Sequence, residues 1–156
     1  MSNQGVRGYY QLTSTIEEQL LADVNNNTVS IGDISDVNLN KQDIFPLAHM
    51  IVNSVSVEEQ VLRFSLTILA CDVVDQSKDR TTDRFTGNDN EQDILNTQLA
   101  VLNRLIQRLR MGSLHTDMYQ LEGNPSLTPF MDRFENQLAG WSATMDILIY
   151  NDIYIC

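Results

Sequence analysis

The stretch IFPLAHMIVNSVSVEEQVLRFSLTILACDVV, residues 44–74, decides the architecture. Residues 44–55 and 61–74 are rich in apolar and β-branched side chains, and the polar piece at 56–60 separates them, so they read as an antiparallel pair. In the second member Leu62, Phe64, Leu66, Ile68 and Ala70 alternate with Arg63, Ser65, Thr67 and Cys71. A period of two puts one set on each side of a sheet, one side oily and the other mixed. Pro46 has no amide proton, which suits the start or the edge of a strand.

Working outward, residues 9–24 place Tyr9, Leu12, Ile16 and Leu20 three or four apart, the spacing of an amphipathic helix. Ser14 and Glu17 have capping-box spacing, which would start that helix later than its apolar stripe does. The run Asn25, Asn26, Asn27 is expected to end it, and residues 28–31 to form a short strand closed by Gly32. Residues 75–90, DQSKDRTTDRFTGNDN, are nearly devoid of apolar side chains and predict a long solvated arm. After it comes a second helix expected to bury Leu95, Leu99, Leu102, Ile106 and Leu109, widened by Ile94, Val101 and Leu105. Beyond Gly112, residues 124–126 and Pro129 read as turns, and residues 130–138 as strand or extended loop. Trp141, Ala143, Met145, Ile147 and Ile149 alternate in a last strand. The predicted class is α+β: a mainly antiparallel sheet with an N-terminal helix and a longer helix packed on it, plus a long acidic loop. At 156 residues, one domain is expected over residues 1–156.

The chemistry-bearing residues point away from catalysis. Asp89, Glu91 and Asp93 imitate the opening of a calcium loop, but Ile94 stands where its turn glycine belongs and Ala100 where its bidentate Glu belongs. Acidic groups opening a helix and Arg104, Arg108 and Arg110 towards its end match the helix dipole instead. Asp72, Asp75, Asp79 and Asp83 fall largely in the solvated arm, where paired carboxylates lack the rigidity that acid and base work needs. His49, within PLAHMIV, reads as a strand histidine hydrogen-bonded inside the fold, and His115 as a partner for helix-end carbonyls. Cys71 and Cys156 form no CxxC pair and the two histidines no HxxxH, so no metal or cofactor and no enzymatic activity are expected. A formal net charge of -11, with only ten Lys and Arg, argues against holding nucleic acid by phosphate neutralisation. The start MSNQGVRGYYQL lacks the pattern of a secretory signal, and no apolar run approaches a membrane span of about 18 residues. Cytosolic synthesis and free thiols are therefore expected.

Taken together, TVSIGDISDVNLNKQDIFPLAHMIVNS, FSLTILACDVVDQS, DNEQDILNTQLAVLNRLIQRL and DRFENQLAGWSATMDI resemble the small neck and tail proteins of tailed bacteriophages. The nearest likeness is to tail-knob ring proteins of crAss-like phages, whose plan is similar to the tail terminator or tail completion fold. The resemblance implies a virion protein made in the host cytoplasm, a non-enzymatic subunit closing into a ring between portal and distal tail. Twelve copies follow from the crAss-like likeness and six from the terminator likeness. Its partners would be copies of itself and adjacent portal, ring or tail proteins; DNA would pass through the lumen without sequence-specific binding, and no membrane is involved. The arm and the aromatic ends supply the candidate interface residues: Tyr9, Tyr10, Lys78, Arg80, Arg84, Phe85, Phe130, Arg133, Phe134 and Tyr154. Two other readings are an acidic DNA-mimic inhibitor or adaptor, whose dense carboxylates Arg104, Arg108, Arg110 and Arg133 would interrupt, and a small metal-dependent enzyme.

Overall fold

Alternation along the third strand sets the layers. In the computed structural model, which describes residues 4–33, 44–74, 91–111, 119–133 and 138–150, β3 (Val61–Val73) buries Leu62, Phe64, Leu66, Ile68 and Ala70 on one face. It pairs antiparallel with β2 (Leu47–Val57) and with β5 (Leu138–Tyr150), where Phe64 faces Ile147, Leu66 faces Met145 and Ile68 faces Ala143. β4 (Gln120–Arg133) adds antiparallel to β5, and β1 (Thr28–Ile31) adds parallel to β2. The sheet order is β1-β2-β3-β5-β4. The oily face of this α+β fold is covered by α1 (Gln4–Leu21) and α2 (Glu91–Met111), whose buried side chains join those of the sheet in the main core.

Local chemistry explains the helices. α1 buries Leu12, Ile16 and Leu20, as the periodicity requires, but it begins at Gln4, so Ser14 is a helix-interior residue and no capping box starts there. Tyr9 leaves the stripe and is exposed. The asparagine run does end the helix: Asn26 Nδ2 donates to Leu20 O at 3.0 Å, satisfying one of the carbonyls a helix end orphans. Asp23 then accepts from Asn25 N at 3.0 Å and grips the Arg104 guanidinium with both oxygens, at 2.7 Å each, joining α1 to α2.

α2 buries a stripe rotated from the predicted one. Ile94, Val101, Leu102, Leu105, Ile106 and Leu109 are buried, Leu95 is half-buried, and Leu99 is 38% exposed. Gln98 takes the inward place instead, with only 1% exposure, and its Oε1 finds no hydrogen-bond partner among the described residues. An unpaired buried amide oxygen costs folding energy that an apolar side chain of similar size does not. Gln98→Leu is therefore expected to raise the unfolding free energy by about 1 kcal/mol in urea titration, and a loss would mean the amide makes a bond worth keeping.

The turn reading at 124–126 and Pro129 gives way to a strand. These residues lie in β4, which is irregular: between Glu122 and Ser126 it advances four residues while β5 advances two, from Asp146 to Thr144. Gly123 adopts φ 66° there, a left-handed conformation that glycine takes without a Cβ penalty. Arg110 Nη2 donates to Gly123 O and Asn124 Oδ1, fastening the bulge to the end of α2. Pro125 and Pro129 are tolerated because β4 is an edge strand. The predicted arm at 75–90, with Asp89 in it, and Gly112 and His115 lie outside the described residues.

Asp23 supplies a pH signature. Burial pushes its pKa up, but the hydrogen bonds from Arg104 and Asn25 and the charges of Arg104 and Arg108 outweigh that and leave it below the ordinary 3.8. A carboxylate with a depressed folded pKa stabilises above its unfolded pKa, and that stability drains as pH falls through the folded value. Asp72, raised by burial, tilts the opposite way, so the comparison must be between variants. The stability gap between wild type and Asp23→Asn is expected to hold constant above about pH 5 and to close as pH falls below the ordinary carboxylate range. A gap that stays constant into acid would mean the ion pair contributes nothing to folding.

Candidate subunit interface

The surfaces left for partners are set by what the helices do not cover. On the far face of the sheet one end is apolar, where Phe45, Leu47, Cys71, Phe130 and Leu138 bury one another, and the middle is largely polar. Register brings Thr67 beside Thr144, Ser65 beside Asp146 and Thr128 beside Ser142. Arg63 ties this face together, pairing with Glu58 at 3.0 Å and with Glu122. No helix among the described residues is long and apolar enough to cross a membrane.

The two sheet edges differ. β4 carries its bulge and its prolines, devices that discourage pairing with another strand. β1 covers β2 only from Leu47 to Met50, so among the described residues β2 has no neighbour on that side from Ile51 onward. A β-bulge at Asn53 decides what this free edge displays: Val52 pairs with Leu66 but Ser54 with Ser65, and Asn53 Nδ2 reaches across to Thr67 Oγ1 at 2.8 Å. One extra residue flips the parity of everything after it. Without the bulge Ser54 and Ser56 would join the oily side; with it, Val55 faces Phe64 and Val57 faces Leu62. Yet Val55 is 43% and Val57 74% exposed, so this side of β2 ends in apolar surface.

Of the ten candidate interface residues, the structure shows two on the surface. Tyr9 and Tyr10 are exposed on α1, their rings edge-on with centroids 5.9 Å apart, and Tyr10 is 73% exposed. Phe130 is a correction: it is buried, and lies across from Gly140 in the strand register. Arg133 belongs to β4 and pairs with Leu138 through its backbone, its side chain lying outside what is described, as do Lys78, Arg80, Arg84, Phe85, Phe134 and Tyr154. Val55 and Val57 were missed; the signal for them was the V-S-V alternation following an asparagine that interrupts the strand.

Among the described residues, the histidine and the cysteine are built into the fold. His49 has no exposed surface; its Nε2 donates to Gly32 O at 2.7 Å and its Nδ1 accepts from Ser30 Oγ at 2.6 Å, which ties β1 and its closing turn to β2. Burial lowers its pKa, against the raising effects of the Gly32 carbonyl and Asp33, so the neutral ring is the stable form. The Cys71 thiol is buried and pushed up to about 12, first by desolvation and then by Asp72, which leaves it un-ionised and unreactive. The segment that imitates a calcium loop is helical from Glu91, with Ile94 in the core. Comparison with protein-family models gives no match to this chain, and comparison with curated proteins gives none either.

Proposed function

We propose that this chain is a structural virion protein that closes into a ring in the neck or tail of a tailed bacteriophage, between portal and distal tail. The observation that carries the proposal is the exposure of Val55 and Val57 on β2, on a fold whose described histidine and described cysteine are both locked in structural roles. A subunit that presents one sticky surface and meets it with a different surface of its neighbour makes heterologous contacts, which form a ring when the rotation between neighbours closes. The exposed Tyr9 and Tyr10 give a second adhesive point on α1. The net charge of -11 suits a wall along which duplex DNA slides, since acidic groups offer phosphates no attraction. Twelve copies are favoured and six are the alternative.

The test is in the phage. Particles lacking the protein should fill their heads yet fail to retain DNA or to attach a complete tail, and labelled protein should map to the axis next to the portal. Normal infectious particles without it, or its absence from purified virions, would overturn the assignment and favour an acidic inhibitor of a DNA-binding protein.

A further inference from the structure

We propose that the end of β2 has a second, bulge-free register against β3, in which Ser54 and Ser56 take the places of Val55 and Val57 on the oily face. The tract that shifts reads Ser54, Val55, Ser56, Val57. It alternates strictly whichever residue starts it, so a slip by one exchanges serines for valines and breaks no pattern. Burial does not choose between the two registers. Every side chain from Asn53 to Gln60 is exposed, on both faces of the sheet, whereas Leu47 to Met50 of the same strand are buried.

The pairs of the second register follow from the ladder. Up to Val52, paired with Leu66, nothing changes. Asn53 then takes the place opposite Ser65 that Ser54 holds in the structure, and Ser54 comes opposite Phe64, Val55 opposite Arg63, Ser56 opposite Leu62 and Val57 opposite Val61. The far face has apolar company for both valines: Arg63 stands beside Leu148 of β5, and Leu148 and Val61 are half-buried. The oily face loses little by receiving the serines, because Val57 is 74% exposed where it stands.

The turn admits both lengths. Glu58 N donates to Val61 O at 3.0 Å around Glu59 and Gln60, neither of which is the glycine, asparagine or aspartate that a two-residue hairpin favours. In the second register Val57 and Val61 close a three-residue loop, Glu58 to Gln60, which is among the next commonest lengths. The contacts holding the observed register are polar and exposed: Asn53 Nδ2 on Thr67 Oγ1 at 2.8 Å and Arg63 on Glu58 at 3.0 Å. The slip carries Glu58 away from Arg63, which keeps Glu122. Exposed pairs of this kind hold a register weakly. The hairpin end thus moves an apolar pair from one face of the sheet to the other while the rest of the ladder stays in place. This property belongs to the single chain and does not rest on the ring.

The experiment is nuclear magnetic resonance relaxation dispersion on the full chain, with two variants that bracket the equilibrium. Deleting Asn53 removes the extra residue and leaves Val55 opposite Phe64 in a regular ladder, so it fixes the observed display. The combined variant Ser54→Val, Val55→Ser, Ser56→Val, Val57→Ser favours the bulge-free register, because there its valines meet the oily face. Wild type is expected to show exchange at the amides of residues 54–57 and 61–65 that disappears when Asn53 is deleted, with minor-state shifts at 61–65 matching the combined variant. Trapping checks the geometry in a Cys156→Ser background, where Cys71, buried and un-ionised, takes no part. A Val57→Cys, Val61→Cys pair should oxidise to a disulfide about tenfold faster with Asn53 present than with it deleted, since only the second register sets these positions opposite each other. Absence of exchange in wild type, exchange that survives the deletion, a minor state unlike the combined variant, or equal trapping rates would each overturn the inference.

Discussion

Phe64→Ala is expected to lower the unfolding free energy by about 3 to 5 kcal/mol. The ring is 1% exposed in the middle of β3, flanked by Ile147 on β5 and by Val55 on β2, under the helix layer. Loss on truncation has two parts, the transfer of the ring to water and the cavity left behind. The cavity part should be large, because the flanking strands are held in register on both sides by backbone hydrogen bonds and cannot close in. Val55→Ala, next to it but half exposed, should cost a small fraction of this. Urea titration of both variants checks the contrast. A Phe64→Ala cost under about 1 kcal/mol would mean the helices do not seal this part of the sheet.

That contrast marks where period-two reasoning succeeded and where it failed. β3 and β5 were legible because they are central, and burial on one face is written into every second residue. The edges were less so. β4 read as turns because Asn124, Pro125 and Pro129 are turn residues by local chemistry, and only an edge position with a bulge makes them compatible with a strand. In α2, apolar residues stand at Leu95 and Leu99 as well as at the buried positions, so the sequence admits more than one stripe. The oily face of the sheet and α1 select among them, and Gln98, a polar residue, ends up inside. Nothing in composition signals that choice.

The exposure of the residues expected at an interface was legible only in part. Aromatic ends and a polar arm pointed to contact surfaces, and Tyr9 and Tyr10 are indeed exposed while Phe130 is consumed by the core. The exposed valines of β2 depend on something a single strand cannot state, the bulge at Asn53 that turns them to the oily side. His49 was read correctly as a residue bonded inside the fold because its neighbours are all apolar, leaving a buried imidazole to find partners on the next strand.

Gly140→Ala is expected to cost about 3 kcal/mol or more, although the sequence around it, LAGWS, gives no warning. A Cβ at this position would stand 2.0 Å from Ala70 O and 2.7 Å from Cys71 Cα. Both are backbone atoms of β3, so no rotamer change relieves the contact, and the strands themselves must part. Parting them disturbs the Gly140 to Cys71 register and the packing of Phe130, which faces Gly140 from the other side. Gly123→Ala is the control. Its Cβ would meet open space, but its φ of 66° is one that alanine adopts only at a cost of about 1 to 2 kcal/mol. The two glycines thus separate a steric requirement from a conformational one within one sheet. Chemical denaturation should rank Gly140→Ala well below Gly123→Ala in stability, and an equal or reversed ranking would mean that β3 and β5 do not approach each other this closely at Gly140.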